Sequence, residues 1–287
     1  MDTRFLQSLI AVVETGSIAG AARLQGLTAA AVSQRIRVLE NELNCTLLKR
    51  SAQAAVPTEN CLHLLPAARN LVRDAQRLGA HIDPGGLRGP YRLGAISTAL
   101  LDFIPGLIET FRTTAPDVDL SIRPGTSLGL YEEVLSGSLD AAITVMPPFA
   151  LPKGVAIRVL SEQPLVHIAP GNPEVSDDHH GDILPWILYD RLSWGGRMIW
   201  DLHKSVIGQD RVLCELDALE TIALMVTQGS GQAIVPRWGK LNDQQLGLRI
   251  TPLPGKATRR IVFLQLQTSV TPVLSDLAFD ALRVPVS

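Results

Sequence analysis

Cysteine is scarce in this chain: Cys45, Cys61 and Cys214 are all there are in 287 residues, an odd number with no C-x-x-C pair. A disulfide framework and a cysteine-rich zinc site both need paired thiols at short spacing, so neither is expected, and the three read as reduced, partly buried small residues. Long apolar runs are missing too. None approaches the roughly 18 residues of a membrane-spanning helix. The amino-terminal "LIAVV" is too short, and too closely flanked by Asp2 and Glu14, for a secretory signal, so the expected location is the cytoplasm, with no membrane partner. Nor is there surplus charge. With 26 Lys and Arg against 28 Asp and Glu the net is −2, so the whole chain exerts no pull on nucleic acid. Any DNA binding has to come from a local patch present in two copies.

What is present is apolar material in quantity. Hydrophobic residues make up 46% of the chain, enough to build more than one core, and two or three compact units are expected. At the amino end, Phe5, Leu9, Val12 and Val13 recur at helical steps until Gly16, which predicts a helix from about Thr3 to Thr15. Ser17 is a good N-cap for a second helix with Ile18, Ala21, Ala22 and Leu24 on its apolar side, ending near Gln25 with Gly26 free to take a positive φ. Thr28 then caps a third helix whose inward stripe is Val32, Ile36, Leu39 and Leu43.

The turn between the second and third helices is short, with small Ala22 where the helices approach and Gly26 in the turn, as a helix-turn-helix requires. Opposite the apolar stripe of the third helix lie Ala30, Ser33, Gln34 and Arg37. Short residues near the helix start let the backbone come close to base edges, and hydrogen-bonding and cationic residues follow. The candidate DNA contacts are Thr28, Ala29, Ala30, Ser33, Gln34, Arg35 and Arg37, with Arg50 farther along. Through residue 60, six Lys and Arg face five Asp and Glu, a net of +1, so few phosphates are neutralised and the salt dependence should be shallow.

The segments "FLQSLIAVVETGSIAGAARLQGLTAAAVSQRIRVLENELNCTLLKR" and "VPTENCLHLLPAAR" resemble the winged helix-turn-helix of the LysR-type transcriptional regulators. Gly16-Ser17, Ala21-Ala22, Ser33, Ile36, Leu39-Glu40, Leu43, Leu47, Arg50, Pro57-Thr58 and Leu65 carry the likeness. "CTLLKR" and "AAVPT" then resemble the two wing strands, with "SAQA" as the wing tip. The sequence departs from the family pattern at Ala29 and Ala30, where Gln and then Pro or Ser are usual, and at Gln53, Ala54 and Ala55, where the wing often carries cations.

From Thr58 to about Ile82 a further helix keeps Leu62, Leu65, Ala68, Leu71 or Val72, Ala75 and Leu78 at three- and four-residue steps, with Pro66 inside it. Such a stripe has to be buried against its own domain or a second subunit; the resemblance implies a linker helix that pairs with its counterpart. "DPGGLRGP", 83–90, reads as a hinge.

Beyond the hinge, strand and helix alternate. "YRLGAI", "VDLSIRP", "LDAAITVM", "PWILYD", "VLCELD" and "GQAIVP" read as strands. "TALLDFIPGLIETFRTTAP", "LGLYEEVLSG", "MIWDLHKSVI" and "ALETIALMVTQGS" read as helices, and the two successive sets predict two parallel α/β lobes. "LRGPYRLGAIST", "IPGLIETFRTTAPDVDLSI", "GSLDAAI", "LETIALMVTQGSGQAIVP" and "DLAFDAL" resemble the effector-binding domain of the same family, a type 2 periplasmic-binding-protein-like fold.

The expected architecture is thus α/β overall: a mainly α winged helix-turn-helix over 1–60, a linker helix and hinge over 61–89, and a two-lobed effector-binding domain over 90–287. Lobe one takes 90–162 and 268–287, lobe two 163–267. In such folds ligands sit between lobes at the carboxyl ends of strands, where helix N-termini point inward. Ser97, Thr98, Thr126 and Ser127 stand at such strand ends in lobe one, and Trp194, Arg197 and Asp217 are the candidates from lobe two. Hydroxyls at helix starts suit an anionic or amino-acid-like effector. The resemblance implies a cytoplasmic homodimer or homotetramer bound to double-stranded promoter or operator DNA, with RNA polymerase as a further partner and no cofactor or metal.

Two other classes compete. "GTSLG", 125–129, satisfies the G-x-S-x-G elbow of serine hydrolases between a strand and a helix. A triad needs a His after Ser127, and only His167, His179, His180 and His203 follow it. A solute-binding protein fits the lobes alone but not the amino-terminal unit or the missing signal. "SDDHHGD", 176–182, holds metal-ligand residue types but has the composition of a solvated loop, and "QGSGQ", 228–232, lacks the lysine of a phosphate loop.

Overall fold

The computed structural model describes residues 1–50, 55–77, 85–171, 184–208, 211–241, 247–255, 257–268 and 271–283. The chain forms two compact units, the bulk of the first being Met1–Gly89 and the second holding Pro90–Val134 and Leu139–Ser287.

The first unit begins with α1 (Thr3–Thr15), α2 (Ile18–Gln25) and α3 (Ala29–Leu43). Each start is capped by the preceding side chain: Asp2 accepts from Arg4 N, Ser17 from Gly20 N at 3.0 Å and Thr28 from Ala31 N at 3.1 Å. Gly26 ends α2 at φ +62°, where a side chain would be strained, and its N–H and that of Leu27 close the helix on Arg23 and Ala22 carbonyls. Strands β1 (Leu48–Arg50) and β2 (Ala55–Pro57) pair antiparallel, Arg50 opposite Ala55; the expected wing tip lies outside the described residues. Glu40 ties this wing to α3 by accepting from the N–H groups of Leu47 and Leu48 at 2.8 and 3.2 Å.

One core joins these elements, with Leu6, Leu9 and Val12 of α1 packed on Ala21, Ala22, Val32, Ile36 and Leu39. Helix α4 (Glu59–Arg77) contributes Cys61, Leu65, Ala68 and Val72 to the same core. The expected single stripe of α4 therefore divides. The steps of four, three and four from Cys61 keep one face on α1, whereas Leu62 and Leu71 lie off that face, on its two opposite flanks, and are 53% and 51% exposed. Leu78, the last residue expected in the stripe, is outside the described residues.

The second unit opens as expected. It runs β3 (Gly89–Ala95), α5 (Ser97–Asp102), α6 (Ile104–Thr114), β4 (Val118–Pro124), α7 (Ser127–Leu135) and β5 (Ala141–Val145), with β3 and β5 parallel. The helix expected over 98–116 breaks at Phe103, because Pro105 at the start of α6 has no N–H to continue α5. β6 (Val155–Pro170) then crosses between the lobes. β7 (Trp186–Tyr189), α8 (Trp194–Ile207), β8 (Val212–Leu216), α9 (Leu219–Thr227), β9 (Ala233–Pro236) and β10 (Leu248–Pro252) build lobe two around Leu165, Ile187, Ile222, Val226 and Val235. β7 and β8 are parallel, while β9 and β10 run antiparallel to β6.

The lobe boundary expected at 268 is displaced. β11 (Thr258–Leu266) pairs antiparallel with β5 and with the first part of β6, so the chain returns to lobe one at Thr258, about ten residues earlier. "RIVFLQL" is buried along most of its length and, being a returning antiparallel strand, does not announce itself by strand-helix alternation. α10 (Pro272–Arg283) closes lobe one against α6, and Arg158 of β6 holds it, lying 3.9 Å from the centre of the Phe279 ring and 2.9 Å from the Asp276 carboxylate.

Candidate DNA-reading face and effector cavity

On α3 the burial of Val32, Ile36 and Leu39 turns the opposite side outward. Ala29, Ala30, Gln34 and Arg37 are exposed and Ser33 is half-buried. Thr28 spends its hydroxyl on the helix cap. Arg35 departs from the expected face: its Nη1 donates to the buried Ser8 hydroxyl at 3.2 Å, which in turn donates to Arg4 O and Gln25 Oε1. It thereby fastens α3 to α1 and α2, and Ser8 is the residue that sequence reasoning missed, a polar position hidden inside an apolar helix face. Arg50 ends β1 beside the wing tip. Burial pushes the Cys61 thiol up to about 11, with the neighbouring Cys45 and Glu40 acting in the same direction, so it stays a protonated core residue.

In the second unit a cavity of about 270 Å³ opens where the strands of both lobes end. Ser97, Thr98, Thr126 and Ser127 form its lobe-one wall, with Tyr189, Ser193 and Asp217 from lobe two and Arg259 at the crossing. Five of the seven expected effector residues are thus brought together. The hydroxyls differ in what they have left to offer. Thr126 caps Gly129 N at 3.2 Å, Ser127 accepts from Val145 N at 3.1 Å, and Thr98 accepts from Arg259 Nη2 at 3.0 Å, whereas the exposed Ser97 caps nothing. Ser127 thus spends one acceptor position on Val145, and among the described residues no histidine is hydrogen-bonded to it.

Trp194 and Arg197 are not in this lining. Trp194 packs edge-on against Tyr131 at 6.0 Å and Phe149 at 5.5 Å, an aromatic clasp between lobes, and Arg197 is an exposed partner of Asp201 at 4.0 Å. Both sit in the first turn of α8, and the cavity is lined instead by Ser193, which caps that turn, and by Tyr189 at the end of β7. Gly196 makes this possible, because a Cβ there would stand 2.0 Å from the Asp190 carbonyl oxygen.

Arg259 was not legible as a site residue, since "TRRIVFLQL" resembles any edge-charged strand. It is 0% exposed, and Nε and Nη2 both donate to Gln163 Oε1, at 2.9 and 2.7 Å. Gln163 faces Arg259 across the β6–β11 ladder at the lobe crossing. Burial lowers the Arg259 pKa and raises that of Tyr189, whose hydroxyl lies close to Arg259, Ser193 and Asp217. Burial, together with the charges of Asp190 and Glu220, also pushes the Asp217 carboxyl up, with Arg259 opposing. Across the lobes, Asp102 accepts from the N–H groups of Gly239 and Lys240 at 2.9 and 3.0 Å.

The metal reading of 176–182 falls outside the described residues. Among those described, no group of three or more His, Cys, Asp or Glu could hold a metal ion, and no helix is long and apolar enough to cross a membrane.

A polar helix face presented by a helix-turn-helix, followed by two α/β lobes around a small polar cavity, defines the class of transcription regulators that bind DNA at one end and an effector at the other. Comparison with known proteins gives the particular family. The LysR substrate binding domain matches residues 84–283, and the bacterial regulatory helix-turn-helix protein of the lysR family matches residues 3–62. The chain belongs to the LysR family. It is 26% identical over 244 residues to the HTH-type transcriptional activator IlvY of Salmonella typhimurium, covering 82% of both proteins. Among solved structures it is similar to a full-length OxyR variant from Pseudomonas aeruginosa, with a TM-score of 0.72 and 20% identity over 100% of this chain and 96% of that one. Full-length CbnR in complex with its target DNA gives 0.63, also at 20% identity, over 99% of each chain. At these identities the solved structures speak for the fold.

Proposed function

We propose that this LysR-type regulator reads the major groove with the outward face of α3, through Ala29, Ala30, Ser33, Gln34 and Arg37, and that a small molecule in the lobe cavity sets its output. The observation that carries the first half is the exposure of Gln34 and Arg37 directly opposite a fully buried Val32-Ile36-Leu39 stripe. A helix anchored on one side and armed with an amide and a guanidinium on the other has the donors and acceptors that base edges require. Arg35 serves as a positioning residue behind this face. Leu71, exposed on one flank of α4, offers an apolar contact to a second subunit, which would set two recognition helices at a fixed spacing on the duplex. A homodimer, or a homotetramer of two such pairs, working in the cytoplasm is the assembly this implies.

The effector acts by preferring one arrangement of the lobes and moves the equilibrium only by that difference in affinity. Mobility shifts on the protein's own promoter fragment test the reading. Gln34→Ala and Arg37→Ala should each weaken specific binding by about 1–3 kcal/mol while leaving binding to random duplex little changed for Gln34→Ala. Unaltered promoter affinity in both variants would remove α3 as the reading element.

A further inference from the structure

Arg259 is a buried cation with no carboxylate in salt-bridge contact among the described residues, although the Tyr189 hydroxyl lies close and the charges of Asp102 and Glu220 act on it from farther off. Its side chain is wholly buried, yet the atoms that receive its hydrogen bonds are an amide oxygen and a hydroxyl, Gln163 Oε1 and Thr98 Oγ1, and neither carries charge. Nη1 has no partner among the described residues. A guanidinium cannot shed its proton at neutral pH, and an unpaired buried cation is among the more costly things a fold can retain. Thr98, which holds the guanidinium end, lines the cavity together with Arg259 itself. The guanidinium residue therefore borders the cavity.

That space is small and polar. About 270 Å³ lies below the roughly 300–1,000 Å³ of pockets for drug-sized ligands. Ser97 adds an exposed hydroxyl with no hydrogen-bond partner among the described residues, and α7 directs its first turn at the same cavity. Asp217 is on the wall as well, with the charges of Asp190 and Glu220 close enough to act on it. One buried cation, Arg259, and one carboxyl, Asp217, therefore border the same small volume.

We infer that the effector is a small monocarboxylate whose carboxylate pairs with Arg259 at the lobe crossing, while Asp217 rejects a second negative charge and accepts a hydrogen bond from an amino or hydroxyl group on the ligand. This rests on the reading of the cavity as the effector site, and it adds the ligand's chemistry and the residue that selects it. Because Arg259 and Gln163 face each other where β11 and β6 pass between the lobes, a ligand held there is placed to bias the lobe arrangement.

Thermal melts of the full-length protein at fixed ionic strength test it, with acetate, glycolate and glycine as single-carboxylate probes, acetamide and glycolamide as their neutral counterparts, and succinate as the dianion. The single carboxylates should raise Tm in a concentration-dependent manner, the amides should not, and succinate should do less than acetate. Arg259→Met should weaken the carboxylate response about thirtyfold or more. Arg259→Lys, which keeps the charge, should retain a reduced response, and Asp217→Asn should bring succinate up to acetate. Amides matching carboxylates in the wild type, an undiminished acetate response in Arg259→Met, or a larger effect of succinate would each overturn the inference. Promoter binding measured on the same preparations separates the outcomes: lost carboxylate selectivity with intact promoter preference sinks this inference alone, and absent promoter preference sinks the regulatory reading.

Discussion

Asp217 shares its surroundings with Asp190 and Glu220, and burial joins their charges in raising its carboxyl above the ordinary 3.8. A carboxyl raised in the folded state favours folding most where it is protonated, below its ordinary value, and that contribution is lost as the pH climbs through the raised one. Wild type should therefore gain stability relative to Asp217→Asn as the pH falls from neutral toward about 4, and the difference in Tm between the two proteins across that window checks the sign. Gly196 makes a harder demand. A Cβ there meets the backbone oxygens of Asp190 at 2.0 Å and Tyr189 at 2.6 Å, atoms that have no rotamer in which to retreat. Gly196→Ala should cost at least about 3 kcal/mol in urea unfolding of the second unit and disturb Tyr189 and Ser193 on the cavity wall. Arg35 and Arg37 show how much two positions on one helix can differ. The first is spent on Ser8 and the second is exposed, and only the packing of α1 tells them apart.

Among the elements, the three helices of the first unit were legible nearly to the residue. Their signals are local: Ser17 and Thr28 cap the helices that follow them, Gly26 takes its left-handed turn, and the apolar stripes need only a period of 3.6. Leu39, fully buried beneath the exposed face of α3, makes that stripe testable. Leu39→Ala should cost about 2–5 kcal/mol and lower the melting temperature of the first unit, with promoter binding lost in proportion to unfolding. The long crossing strand β6 and the returning β11 were not legible, because an antiparallel pair with a partner about a hundred residues away leaves no nearby pattern. The same holds for α4. Its repeat marks a helix, but which leucines meet α1 and which stay outside is a matter of a 100° turn per residue and of where α1 lies.

At the scale of the whole molecule, the near-neutral charge makes the number of copies decisive. A net of +1 through residue 60 gives one DNA-binding unit little purchase on phosphate, so affinity has to come from joining two. Leu71→Glu places a charge on an exposed flank of α4 and should convert the proposed dimer to monomer in light scattering, with promoter affinity falling about a hundredfold or more. The salt dependence of the wild-type complex should be shallow for a dimer of this size, and a steep slope would mean that cations outside the first sixty residues reach the duplex.

By itself the sequence determined the local things: where helices start and stop, that a helix-turn-helix precedes two α/β lobes, and that hydroxyls gather at strand ends. Each follows from interactions spanning a few residues, which a linear reading can follow. The tertiary structure alone decided that Arg35 turns inward, that Trp194 and Arg197 stand away from the cavity, and that Arg259 lies buried at its edge. A side chain's burial and partners depend on chain segments far away in sequence, and Gln163 and Thr98 meet Arg259 only after β6, β11 and α5 have been brought to one place.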